Sequence, residues 1–201
     1  DINIQNNDGN TPIIIASALA SEPTVGVLID GGADVDIENS NGETALIAAA
    51  HRLDQEEKHK IIHRILDADA DVNVRDVDGN SALSIVAEQG DQESTMMLLR
   101  TEGIQVNICP YEGFSPLQSS VNTNMTAAVG RLLELDADTE RIGSDGRTPI
   151  FGTRSVEILD ILLEHGANLN ALDDSKRIPA MDAARRGNMD VVERMIGHGS
   201  K

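Results

Sequence analysis

Short polar stretches built around a glycine alternate along this chain with two kinds of apolar run. DGNTPIIIAS (8–17) returns as NGETALIAAA (41–50), DGNSALSIVA (78–87), EGFSPLQSSV (112–121) and DGRTPIFG (145–152), with a weaker copy SKRIPAMDAA (175–184). Gly9, Gly42, Gly79, Gly113 and Gly146 are spaced 33, 37, 34 and 33 residues apart. A second run recurs out of phase: VGVLIDGGADVDIE (25–38), HRILDADADVNVR (63–75), LLRTEGIQVNIC (98–109), GRLLELDADTERI (130–142) and DILLEHGANLNAL (160–172). Self-similarity at this period is the mark of a solenoid.

Each unit therefore reads as turn, short helix, turn, longer helix, loop. The turn glycine tolerates positive φ. Thr or Ser then caps the first helix, with Pro at its first position in several copies. Alanines such as Ala48, Ala49 and Ala50 let helices approach closely. Ile158, Leu159, Ile161, Leu162 and Leu163 keep helical spacing on the second helix, and Gly32, Gly103 and Gly166 stand where a left-handed residue would end one. No unit can bury its own apolar face, so neighbours must stack. The predicted class is all-α, a helix-turn-helix solenoid with short β-turn or hairpin fingers.

The units resemble ankyrin repeats, whose signature is a 33-residue period carrying T-P-L-H-x-A. The resemblance covers the whole chain, with units at 6–38, 39–75, 76–109, 110–142, 143–172 and 173–201. The histidine of that motif is replaced in every copy, by Ile14, Ile47, Ser84, Gln118, Phe151 and Met181. DINIQ (1–5) lines up with DVDIE (34–38) and DVNVR (71–75), so it reads as the tail of a preceding repeat, and the chain as a monomeric segment of a longer protein.

Two units are irregular. The second carries four extra residues in HRLDQEEKHK (51–60), whose charge predicts a solvated bulge between its helices or at the start of the second. The fifth is three residues short, and Gly152 and Thr153 leave its first helix little more than one turn long, with Phe151 filling part of the lost volume.

Composition narrows the function. The chain has one Tyr, two Phe and no Trp, so its core is aliphatic. Net charge is −18, and residues 1–100 hold 19 acids against 6 bases. Phosphate-backbone binding needs clustered Lys and Arg, so nucleic-acid and anionic-membrane binding are disfavoured. No apolar run approaches the roughly 20 residues of a membrane span. Lone Cys109 forms no internal disulfide, which fits an intracellular location, cytoplasmic or nuclear, or a host cell if the parent is an effector.

No motif along the chain carries catalytic chemistry. LDADADVNVRDVDGN has the alternating oxygens of a calcium loop at Asp67, Asp69, Asp71 and Asn73, but Val72 occupies the turn glycine position and Asp78 the place of the closing Glu. His59 and His63 lie four apart near His51 without a third zinc ligand, and read as a solvated helix face. There is no phosphate loop or nucleophile elbow. No enzyme and no cofactor are expected. Asn73 resembles the loop asparagines that ankyrin repeats present for hydroxylation, but the favoured reading is a side-chain bond to its own loop backbone.

The resemblance implies protein or peptide binding on the concave face, formed by the turn tips and the exposed side of each first helix. Carried onto this sequence, that face includes Glu43, Asp78, Tyr111, Glu112, Phe114, Arg147 and Arg177 at tips, and Arg52, Glu88, Arg185 and Arg186 on first helices. Tyr111 and Phe114 share one central tip, the composition of a binding hot spot. The four arginines make the last two repeats basic, so a partner with a basic end, an apolar centre and an acidic end would match. The rival readings are a structural spacer, and the targeting arm of a larger enzyme, channel or pathogen effector.

Overall fold

The computed structural model describes residues 1–200. Pairs of antiparallel helices follow one another in chain order: α1 Pro12–Leu19 with α2 Glu22–Asp30, α3 Ala45–Ala50 with α4 Gln55–Leu66, α5 Ala82–Glu88 with α6 Gln92–Leu98, and α7 Pro116–Asn122 with α8 Thr126–Glu134. A single 3-10 turn, Pro149–Gly152, precedes α9 Val156–Glu164, and α10 Pro179–Arg185 precedes α11 Met189–Gly197. First helices pack on first helices, and second helices on second helices. The result is two layers of helices with one continuous aliphatic core, from Ile13 and Val25 at one end to Val191 and Met195 at the other. Among the described residues there is no β-strand.

Capping chemistry decides where the first helices start. The Thr11, Thr44, Ser81 and Ser115 side chains accept from the backbone N–H three residues on, as Thr and Ser at an N-cap do. Pro12, Pro116, Pro149 and Pro179 hold the first helical position. Gly32, Gly103 and Gly166 are left-handed, at φ 85°, 77° and 85°, just after second helices.

Between units the chain makes fingers, tight turns tied to one another by single backbone bonds. Ser40 N–H donates to the Asp8 carbonyl at 3.0 Å, Val77 to Asn41 at 2.9 Å, Tyr111 to Asp78 at 2.9 Å and Ser144 to Gly113 at 3.2 Å. A second ladder runs through the loops after the second helices, and it uses side chains. Asn3 Oδ1 accepts from Asp34 N–H, Asp36 Oδ1 from Asp71, Asn73 Oδ1 from Gln105, Asn107 Oδ1 from Asp138 and Glu140 Oε1 from Asn168, all at 2.8–2.9 Å. Asn73 and Asn107 also donate, to the Gly103 and Asp136 carbonyls. The expectation that Asn73 bonds its own loop is thus corrected: both ends of its amide hold the next unit.

The four extra residues of the second unit lengthen α4 at its start, to 12 residues. Most of the stretch is solvated, as its charge predicts: His51, Leu53, Asp54, Gln55, Glu56 and Lys60 are exposed, with one departure. Lys58 is 2% exposed and ranks among the largest fully buried side chains. In the fifth unit the first helix does shrink to one 3-10 turn, and Phe151 is buried beside it. Gly152 lets the turn approach α7: a Cβ there would stand 2.2 Å from Asn122 Oδ1.

Candidate protein-binding face

The fingers and the adjoining edges of the first helices form one long side of the molecule, and the structure sorts the predicted residues by how free they are. Tyr111 projects from the fourth finger, 71% exposed, with the Arg75 guanidinium 5.9 Å from its ring centre. Asp78, Glu112 and Glu88 are also exposed. Phe114 differs from Tyr111: it is half-buried and leans on the fifth finger, where a Cβ at Gly143 would stand 2.7 Å from its Cδ1. Glu43 accepts from Asn39 Nδ2 at 2.8 Å, and Arg52 donates to the Ser17 carbonyl of the preceding helix at 3.2 Å. Between the first two fingers lies a groove with an apolar floor of Ile14, Ile15, Leu19 and Ala48, rimmed by Asp8, Asn41, Glu43 and His51.

The arginines of the last two units are not a free basic patch. Two buried carboxylates gather them. Asp173 accepts from Arg177 at 2.8 Å and lies 3.4 Å from Arg147 Nε. Asp182 pairs with Arg185 at 3.0 Å, Arg186 at 2.8 Å and Arg147 at 3.5 Å. Arg186 also donates to the Phe151 and Thr153 carbonyls, closing the space left by the missing helical turn. Burial lowers the Arg186 pKa, Asp182 opposes that, and the neighbouring Arg154, Arg185 and Arg147 add to it. For Asp173, burial works upward but is outweighed by the Arg177 N–H and guanidinium and the Ser175 N–H, which bring the carboxyl to about 2. Four arginines against two aspartates leave two surplus charges, fewer than the sequence count suggested.

The polar segment of the second unit makes a centre of its own on the opposite side. Lys58 Nζ lies 3.1 Å from Asp91 Oδ2 and donates to Gln89 Oε1. His59 stands between Asp91, 2.9 Å from Nε2, and Glu93, 3.1 Å from Nδ1. Asp91 also caps α6, accepting from the Ser94 N–H and hydroxyl. Burial would raise the Asp91 pKa, yet the Ser94 N–H, His59, the Ser94 hydroxyl and Lys58 hold it below the usual carboxylate range. His59 is therefore not on a solvated face. His63 is, two-thirds exposed and paired with Asp67.

Candidate chemistry dissolves into architecture at the other positions. The acids of the calcium-like run serve the loop ladder: Asp71 Oδ1 accepts from Asn73 N–H, and Asp71 N–H donates to Asp36. Burial pushes the Cys109 thiol up, against the pull of Arg141, which makes it a poor nucleophile. No helix among the described residues is long and apolar enough to cross a membrane.

Sequence reasoning missed one register of this face, the residue just before each finger. Ile142 is 64% exposed and Leu172 62% exposed there. The signal was available: an apolar residue at a register that holds Gln5, Glu38 and Arg75 in the first three units.

The same architecture is found in known proteins. The model of the ankyrin repeat family, in three copies, matches residues 1–76 and 54–143, and the chain belongs to that family. Its members are in general non-catalytic modules for protein–protein interaction. The B-cell lymphoma 3 protein homolog of Mus musculus is 32% identical over 101 residues, which is 48% of this chain and 22% of the mouse protein. The chain thus spans less than a quarter of that relative. The crystal structure of the ankyrin repeat domain of Bcl-3, described as a unique member of the IkappaB protein family, superposes with a TM-score of 0.74 at 27% identity, covering 97% of this chain and 89% of that one. The human ASB11 ankyrin repeat domain gives 0.73 at 20% identity, over 98% and 86% of the two chains. The ankyrin repeat protein EF0377 gives 0.76 at 21%, over 92% and 96%. These last two show the fold alone.

Proposed function

We propose that this chain is a non-catalytic scaffold or adaptor module that binds a protein partner on its concave face, inside a cell, with the fourth finger at the centre of the contact. The observation that carries the reading is Tyr111. It is the only tyrosine in the sequence, and it is 71% exposed. An exposed aromatic with an arginine against its ring, set among carboxylates, is what an interface anchor looks like before it is covered. Membership of a family of protein–protein interaction modules supports the binding class.

Capture from a lysate of the source organism tests this, comparing the wild type with Tyr111→Ala and with Glu164→Ala, an exposed change on α9 away from the fingers. Proteins retained by the wild type and by Glu164→Ala, but lost with Tyr111→Ala, support the reading. Capture that is unaffected by Tyr111→Ala, or no specific capture by any form, overturns it and favours a spacer.

A further inference from the structure

Four large apolar side chains stand out on four successive fingers. Val77 is 61% exposed, Tyr111 71%, Ile142 64% and Leu172 62%. They occupy neighbouring registers, the residue before each finger (Ile142, Leu172) and the residue after its first position (Val77, Tyr111). These two registers share one edge. Arg75, before the third finger, lies over the ring of Tyr111, in the fourth. Tyr111 and Ile142 line one cleft together with Cys109, Pro110, Arg141 and Ser144. Along the tips beside this stripe runs a row of exposed carboxylates, one per finger: Asp78, Glu112 and Asp145. The first two fingers have polar residues at both registers, Gln5 and Asn7, then Glu38 and Ser40. The stripe is thus confined to the third to sixth fingers.

Resting on the reading that this face binds protein, we infer that its ligand is an amphipathic helix of the partner, laid along the third to sixth fingers, with lysine or arginine on the edge that faces Asp78, Glu112 and Asp145. Spacing argues for a helix. Packed helices of adjacent units sit about 8–10 Å apart, so fingers recur at about that interval. Seven residues of α-helix rise about 10.5 Å and return to the same face. A helix with apolar residues every seventh position therefore meets every finger, and four fingers take about 20 residues. A β-strand covers the interval in about three residues, which point to alternate sides. A polyproline helix returns to one face after about 9.3 Å, but it lays a single side chain on each finger. An amphipathic helix sets two or three apolar side chains in each two turns, so it can cover neighbouring members of the stripe together. The carboxylate row supplies orientation and steering more than affinity.

The test uses three synthetic peptides of 22 residues and the isotopically labelled protein, followed by amide chemical shifts. One peptide carries leucine on a seven-residue period flanked by lysine. The second has glutamate for lysine, and the third is the lysine peptide interrupted by prolines. The lysine peptide is expected to move the amides of Val77, Tyr111, Ile142 and Leu172, and to bind at least tenfold tighter than either control. It should weaken at least tenfold against the protein with Tyr111→Ser, Ile142→Ser and Leu172→Ser, whose circular dichroism should match the wild type because all three side chains point outward. Equal binding of the glutamate or proline peptide overturns the inference, as do shifts spread over the acidic first units without the stripe. Shifts confined to Glu43, Glu88 or Arg185 overturn the stripe and leave the protein-binding reading standing. If no peptide moves the stripe at millimolar concentration, the inference falls, while the Tyr111→Ala capture decides the broader reading separately.

Discussion

The ammonium of Lys58 and the carboxylate of Asp91 meet at 3.1 Å with both side chains 2% exposed. Removing one partner of such a pair strands the other in the interior, which costs about 3–5 kcal/mol, whereas removing both by apolar groups of similar size can be neutral. Lys58→Met is expected to destabilise by about 3 kcal/mol. Lys58→Met with Asp91→Asn should cost less than the two single changes together. Urea denaturation of the three variants checks the non-additivity.

Acid should loosen the array at two places. Asp91 and Asp173 both have folded-state pKa values below the ordinary 3.8, Asp173 at about 2. A depressed carboxylate contributes stability that is complete above its unfolded pKa and is lost as pH falls through the folded one. Stability should therefore fall between about pH 4 and pH 2. Asp173→Asn should flatten that slope, read from urea midpoints taken across this range.

Gly9 and Gly166 are both left-handed, at φ 77° and 85°, but they should respond differently to alanine. A Cβ at Gly9 would stand 2.7 Å from the Ser40 backbone nitrogen, while one at Gly166 meets nothing within 4 Å. Gly166→Ala should cost only the left-handed penalty, about 1–2 kcal/mol. Gly9→Ala should cost more and break the bond from Ser40 to Asp8. Thermal unfolding of both, with hydrogen exchange at the Ser40 amide, separates the two effects.

The two aromatics of the fourth finger should also part company. Tyr111→Ala removes an exposed ring and should change stability by no more than about 0.5 kcal/mol. Phe114→Ala removes a ring lodged against the next finger and should cost about 1–2 kcal/mol. Phe151→Ala, at a fully buried site, should cost about 3–5 kcal/mol. Calorimetry of the three variants gives the order.

The fold was legible because its signals are local and repeated: glycine, capping hydroxyl and apolar spacing recur in phase. Long-range pairing was not. HRLDQEEKHK carries charge at eight of its ten positions if histidine is counted, and nothing local says that Lys58 turns inward. Its partner Asp91 lies 33 residues on and was visible only as the start of a helix. The arginines of the last units were found, but Asp173 and Asp182, which hold them, looked like ordinary turn and helix residues. Tyr111 and Phe114 were read as a pair because sequence gives position, whereas exposure depends on the neighbouring finger.

The loop ladder is uneven. Asn73 and Asn107 each grip the following unit with two bonds, whereas Asp36 and Glu140 reach across with one. The junction held by Asn73 also contains Lys58 and Asp91. Pulled from its ends, such a chain should not give way all at once. It should lengthen in steps, holding longest at the junction that contains Lys58 and Asp91 and at the one where Arg147 and Arg186 tie the fifth unit to the sixth. A partner resting on the third and fourth fingers would then be sitting beside a part of the spring that lets go late.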